Sequence, residues 1–121
     1  MWSILQTKSD AEPWWFLEGW RQDIINEWTF QGKIEAFQFF QQKIEKLISE
    51  YEHFRVKRGT QIAFWNEGEF LFCESCDEDL QLYHGFLILL NNEPFTKAQM
   101  SNEEKEFFDQ IIQEDKKKTE A

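Results

Sequence analysis

The sequence predicts an α+β fold. It should hold a mainly antiparallel sheet of about four to six strands, a long amphipathic helix over 33–52 and a C-terminal helix over 101–115. Three observations carry this reading. Ile34, Phe37, Phe40, Ile44, Leu47, Ile48 and Tyr51 recur at spacings of three and four, which is one stripe of a helix. Short apolar runs bounded by Gly, Asn and Asp clusters flank that helix on both sides. Ser101 is followed by Glu104, the pattern of a capping box, and then by Phe107, Phe108, Ile111 and Ile112.

In chain order, Trp2 and Ile4 alternate with Ser3 and Leu5, a first strand ending near Lys8. Ser9 to Pro13 is a turn by composition. Trp14 to Trp20 is too short and too aromatic for periodicity to decide its state. Trp28 and Phe30 alternate with Thr29, which favours a strand over 25–30. Burying the helical stripe that follows contributes on the order of 10 kcal/mol before entropy is subtracted. His53 to Arg58 reads as a linker closed by Gly59. Residues 60–66 read as a strand with Ile62 and Phe64 on one side and Ala63 and Trp65 on the other. Asn66-Glu67-Gly68 is a tight-turn signal, Gly68 supplying positive φ. Strands over 69–75 and 80–90 complete a three-stranded ribbon turned at Asp77-Glu78-Asp79. Leu80, Leu82, Phe86, Ile88 and Leu90 share one face and Leu87 and Leu89 the other, so both faces should be covered. Lys116 to Lys118 suit the negative end of the last helix dipole. The expected organisation is a single domain over 1–118 with a frayed tail at 119–121.

Composition sets the outer limits on function. The chain has 121 residues, a formal charge of −10, and 6 Trp and 13 Phe against 2 Tyr. Val56 is the sole valine, so aromatic rings must fill much of the core. The acidic mean field opposes DNA, RNA and an anionic membrane surface, unless a local basic patch overrides it. No apolar run approaches the roughly 18–20 residues of a membrane span. Two cysteines are too few for a disulfide framework. Met1 to Asp10 lacks the charge and apolar pattern of a secretory signal. A cytoplasmic, reducing setting is therefore expected.

The strongest interaction signal is the cluster Trp14, Trp15, Phe16 and Trp20. Tryptophan brings large contact area and one donor, the profile of a binding hot spot. The competing reading, slightly ahead, is that these rings cap an open face of the sheet. The basic stretch with Arg55, Lys57 and Arg58 is the one place where nucleic acid would land, with Phe54, Phe64 and Trp65 as stacking platforms. Three cations are few, and a solvated linker facing acidic neighbours is the favoured reading.

Cys73-Glu74-Ser75-Cys76 is the most motif-like string. A thioredoxin-type dithiol needs its first thiol at a helix N-terminus, whereas Cys73 ends a strand among carboxylates that oppose a thiolate. A zinc site would use Cys73, Cys76 and His84, with Asp77 or Asp79 as a fourth ligand; one Cys-x-x-Cys pair alone is a weak signal. The favoured reading packs Cys73 as a small hydrophobe and leaves Cys76 near the turn. His84 then reads as a hydrogen-bonded core residue, and His53 as a cation at a helix end. No phosphate-binding glycine loop, H-E-x-x-H or discriminating Ser–His–Asp order is present, so no catalytic residue is proposed.

The strings Glu12-Pro13-Trp14-Trp15-Phe16, Ala63-Phe64-Trp65-Asn66, Phe72-Cys73-Glu74-Ser75-Cys76 and Asp79-Leu80-Gln81-Leu82-Tyr83-His84-Gly85 resemble a domain-of-unknown-function family, DUF1033. Its members are small cytosolic proteins of streptococci, lactococci and related Firmicutes. The resemblance covers nearly the whole chain. It implies a bacterial cytoplasmic protein and brings no activity, cofactor or catalytic residue. It also brings a loose association of some members with nucleic acid. The expected function is a non-enzymatic protein-interaction or regulatory module acting as monomer or homodimer. A nucleic-acid-associated regulator and a zinc or thiol protein are the alternatives, zinc being the one candidate cofactor.

Overall fold

The computed structural model describes residues 1–120, with side chains through Ile112; Ala121 lies outside the described residues. In chain order the elements are β1 (Trp2–Ser9), 3-10 turns at Pro13–Trp15 and Trp20–Asp23, β2 (Ile24–Phe30) and α1 (Lys33–Glu50). Then come β3 (His53–Lys57), β4 (Gln61–Trp65), β5 (Phe70–Cys73), β6 (Glu78–Gln81), β7 (Tyr83–Leu90) and β8 (Glu93–Pro94). A 3-10 turn at Lys97–Gln99 leads into α2 (Asn102–Glu120). The fold is α+β, as the sequence predicts.

The main sheet is antiparallel, in the order β2-β1-β7-β4-β3, with β8 also paired to β7. Alternation places Trp2, Ile4, Ile62, Phe64, Phe86 and Ile88 on one face. Ala36, Phe37, Phe40, Ile44 and Leu47 of α1 and Phe108 and Ile111 of α2 close over that face. The rings interlock edge to face: Phe40 lies 5.3 Å from Phe108 and Trp2 lies 4.9 Å from Phe95, centroid to centroid. Such contacts add roughly 0.5–1.5 kcal/mol each to simple burial. Ile34, expected on the stripe, is instead 71% exposed in the first turn of α1. Phe39 joins the core in its place, against Trp28 and Phe30 of β2.

The starts of the two helices are tied together. The backbone N–H of Glu104 donates to Ser101 Oγ at 3.2 Å, and the Ser101 N–H donates to Glu104 Oε1 at 2.8 Å. This is the capping box the sequence announces. The second carboxylate oxygen meets Lys33 Nζ at 2.8 Å, at the first residue of α1. That ion pair and the cap hold the Glu104 carboxyl below its ordinary range. Lys116 to Lys118 and the expected tail at 119–121 lie outside the described side chains.

The expected three-stranded ribbon does not form. β4 pairs directly with β7 in the register Ile62↔Phe86, Ala63↔Gly85 and Phe64↔His84. β5 and β6 pair with each other, Phe70↔Gln81 through Cys73↔Glu78, as a separate two-stranded sheet. The chain breaks at Leu82, whose N–H donates to the Glu69 carbonyl at 3.0 Å. The Gln81 amide donates to the carbonyls of Asn66, Glu69 and Leu82, each at 3.0 Å, and clamps the root of this hairpin. Phe70, Leu71 and Phe72, expected to be covered, are exposed.

A second correction concerns 53–58. It is an edge strand, not a linker. Phe54 and Val56 pack into the core, and the residues between them point the other way. Gly59 and Gly68 both take positive φ, at 85° and 82°, and turn the chain as the sequence predicts.

Candidate interaction surface

The face of the sheet opposite the helices is only partly covered. Phe16, Trp20 and Ile24 close over Leu5, Leu87 and Leu89. The preceding turn, Pro13–Trp15, packs against β4 and β7. Trp14 is buried there at 4% exposure, while the adjacent Trp15 is 56% exposed. A single 3-10 turn sends consecutive side chains to different sides, so the two rings have opposite fates. Phe16 closes the turn in the left-handed region, at φ 47°, and stacks edge to face on Trp20 at 5.0 Å. The Arg21 guanidinium lies 4.7 Å from the Trp20 ring centre. The expectation that the aromatic cluster caps the sheet therefore holds for Trp14, and in part for Phe16 and Trp20. Trp15 faces outward.

The exposed part of this face brings together residues from four segments: the turn at 12–15, β3, β4 and β7. Period-two alternation in β3 turns His53, Arg55 and Lys57 away from the core. Lys57 Nζ lies 5.7 Å from the Trp15 ring centre. Arg55 lies 5.9 Å from the Trp65 ring centre, and its Nη1 is 4.0 Å from a Glu12 carboxylate oxygen. The His53 ring stacks on Trp65 at 5.4 Å, and Tyr83 meets Trp65 edge-on at 5.6 Å. Arg58, in the turn, donates from Nη1 to Gln61 Oε1 at 3.1 Å and stands apart from the rings. Cation and ring thus alternate across one face, each cation over a π surface that attracts it.

Two of the sequence candidates, the tryptophan cluster and the basic stretch, are joined here through Trp15 and Lys57. Trp65, read from the sequence as a stacking platform, belongs to the same surface, whereas the other two platforms, Phe54 and Phe64, pack into the core; Tyr83 also belongs to it and was missed as a site residue. The alternation of His53, Arg55 and Lys57 with Phe54 and Val56 was the available signal for the strand that presents it.

The thiol candidates are placed differently. Cys73 and Cys76 form a disulfide across the tip of the β5–β6 hairpin. Cys73 is not packed as a hydrophobe: the Cys76 N–H donates to its sulfur at 3.3 Å, and Ser75 Oγ lies at 3.3 Å. The hairpin turns at 74–77, so Cys73 faces Glu78 and not Leu82 as the zinc reading required. His84 belongs to the main sheet. Its Nε2 meets Glu69 Oε1 at 3.1 Å, and its ring lies 4.7 Å from Tyr51. Burial, then Glu69 and Glu50, push the Tyr51 hydroxyl above its usual pKa. Cys73, Cys76 and His84 are therefore not gathered as a ligand set. Among the described residues one group has metal-ligand proximity: Glu52, His53 and Glu67, with the His53 ring nitrogen 3.3 Å from Glu67. Glu52 and Glu67 are exposed and His53 is half-buried, and polar contact between these surface side chains accounts for the proximity.

The recess between Thr7, Glu12, Pro13 and Trp20 has a volume of about 30 Å³, room for about one water.

A family comparison matches residues 1–119 to a protein family of unknown function. The chain belongs to the DUF1033 family. Neither a curated protein nor a solved structure matches it. This DUF1033 chain has no described helix long and apolar enough to cross a membrane.

Proposed function

We propose that this DUF1033 chain is a non-enzymatic binding module of the bacterial cytosol. Its working face is made of Trp15, Arg55, Lys57 and Trp65, and its partner is a protein presenting carboxylates beside an apolar side chain. One observation carries the reading. Trp15 stands 56% exposed against Lys57, in a chain that buries its neighbour Trp14. Trp and Arg are the residue types that dominate binding energy at protein contacts. The β3–β4 hairpin supplies a rigid base for them.

A second reading is single-stranded nucleic acid. The interleaving of Arg55 and Lys57 with Trp65 and Trp15 is the arrangement that stacks bases and neutralises phosphates. It ranks second because Arg55 already meets Glu12, Arg58 is turned to Gln61, and the net charge is −10.

The test is a pull-down from the source cell with wild type, Trp15→Ala and Lys57→Glu. A protein partner held by wild type and lost by both variants, at unchanged thermal midpoint, supports the first reading. Equal recovery by all three rejects it. Binding of a short single-stranded oligonucleotide at low ionic strength that weakens steeply with salt would replace it with the second reading.

A further inference from the structure

The β5–β6 hairpin is a second surface with its own chemistry. Phe70, Leu71 and Phe72 are 54%, 45% and 56% exposed, three consecutive large apolar side chains outside any core. Phe70 and Phe72 share one face of the hairpin, and Leu71 pairs with Leu80 on the other. Among the described residues β5 and β6 pair only with each other, so both outer edges carry open backbone donors and acceptors. A two-stranded ribbon with both faces and both edges in water is marginal by itself. Here it is held at the root by the Gln81 amide and at the tip by the Cys73–Cys76 disulfide. Native proteins usually blunt such an edge with charged residues or Pro; β5 contains neither, whereas β6 carries Glu78 and Asp79, so the open edge is that of β5.

The charge around the arm points to what covers it. Residues 67–79 hold six carboxylates: Glu67, Glu69, Glu74, Asp77, Glu78 and Asp79. From Gly59 to Thr96 the sequence has no lysine or arginine. A second copy of this chain, itself at −10, would be repelled by that arm.

We infer that the β5–β6 hairpin docks a basic, apolar extended segment of a partner protein, which adds as a strand to its open edge. Backbone hydrogen bonds complete the ribbon. Phe70 and Phe72 take the apolar side chains of the segment, and the surrounding carboxylates take its lysines or arginines. This surface is independent of the Trp15 face, since it uses the opposite charge and a different hairpin.

The probe is a short fluorescent peptide of alternating lysine and valine, with a glutamate–valine twin as control. Anisotropy is read at about 0.15 M ionic strength, where diffuse attraction is largely screened. Wild type should bind the lysine peptide and ignore the glutamate one. Phe70→Ser/Phe72→Ser, which leaves the charge unchanged, should weaken binding by about tenfold or more. Glu78→Gln/Asp79→Asn, which leaves the apolar residues in place, should weaken it comparably. Amide shifts on binding should fall on 70–81. Binding that survives the Phe double variant, or shifts that fall on β3 and β4, would overturn the proposal. Concentration-dependent self-association abolished by the Phe double variant would assign the surface to a second copy and overturn it equally.

Discussion

The ring of Pro13 occupies the space that a side chain on Gly85 would need. A Cβ built on Gly85 would stand 2.7 Å from Pro13 Cβ and would also meet the Thr7 hydroxyl. The turn that carries Trp14 and Trp15 therefore rests directly on the backbone of β7. Gly85→Ala should push this turn off the sheet and cost about 1–3 kcal/mol, the usual range for overpacking. Urea unfolding checks the cost, and an unchanged midpoint would mean that the turn is not seated there.

Trp14 and Trp15 are adjacent and should behave oppositely. Trp14→Ala removes a buried ring and should cost about 3–5 kcal/mol. Trp15→Ala removes an exposed one and should stay within about 0.5 kcal/mol of wild type. Paired denaturation curves decide this, and equal losses would place both rings in the core.

The Glu104 carboxyl has a lowered pKa because Lys33 and the Ser101 N–H favour its charged form. Its contribution is present above the unfolded value of about 4.3 and is lost as pH falls through the lower folded value. Glu104→Gln should destabilise the protein at pH 7, and the deficit should shrink toward pH 3. Denaturation midpoints across that range test the sign. A deficit that grows on acidification would contradict the ion pair with Lys33.

Reduction of Cys73–Cys76 should loosen the hairpin alone. Closing so short a loop is worth about 2 kcal/mol of chain entropy. Amide exchange over 70–81 should therefore accelerate by more than about tenfold on adding a thiol reductant, while β7 keeps its protection. Faster exchange throughout β7 would show that the arm is integral to the main sheet.

Purified protein should carry less than about a tenth of an equivalent of zinc, because Cys73 and Cys76 are bonded to each other and His84 is engaged with Glu69. Elemental analysis of metal-replete protein, with and without prior reduction, provides the check. A full equivalent held by the reduced form would restore Cys73, Cys76 and His84 as ligands.

Local pattern was enough for the elements whose apolar residues share one face of a long periodic run. α1, β1, β2 and β4 stand within a few residues of where their alternation puts them, and the Ser101–Glu104 cap opens α2 as read. The sides of β4 and β7 were equally legible, since Phe86 and Ile88 fall opposite Leu87 and Leu89 by simple alternation. The candidate surface was legible in pieces, as a tryptophan cluster and a basic stretch, Trp15 and Lys57 standing 42 residues apart in sequence.

Only the tertiary structure decided which of these faces are covered. Periodicity shows which side chains lie together on an element, but coverage depends on a partner elsewhere in the chain. Direct pairing of β4 with β7 leaves no place in the main sheet for β5 and β6, so Phe70, Leu71 and Phe72 face water despite reading as core. Contact between Pro13 and Gly85, distant in sequence, buries Trp14 and leaves Trp15 beside Lys57. The amino-acid order thus determined the acidic charge, the main helices and most of the strands. The long-range contacts that close one face of the sheet, and leave the other partly open, determined which of its side chains stay exposed.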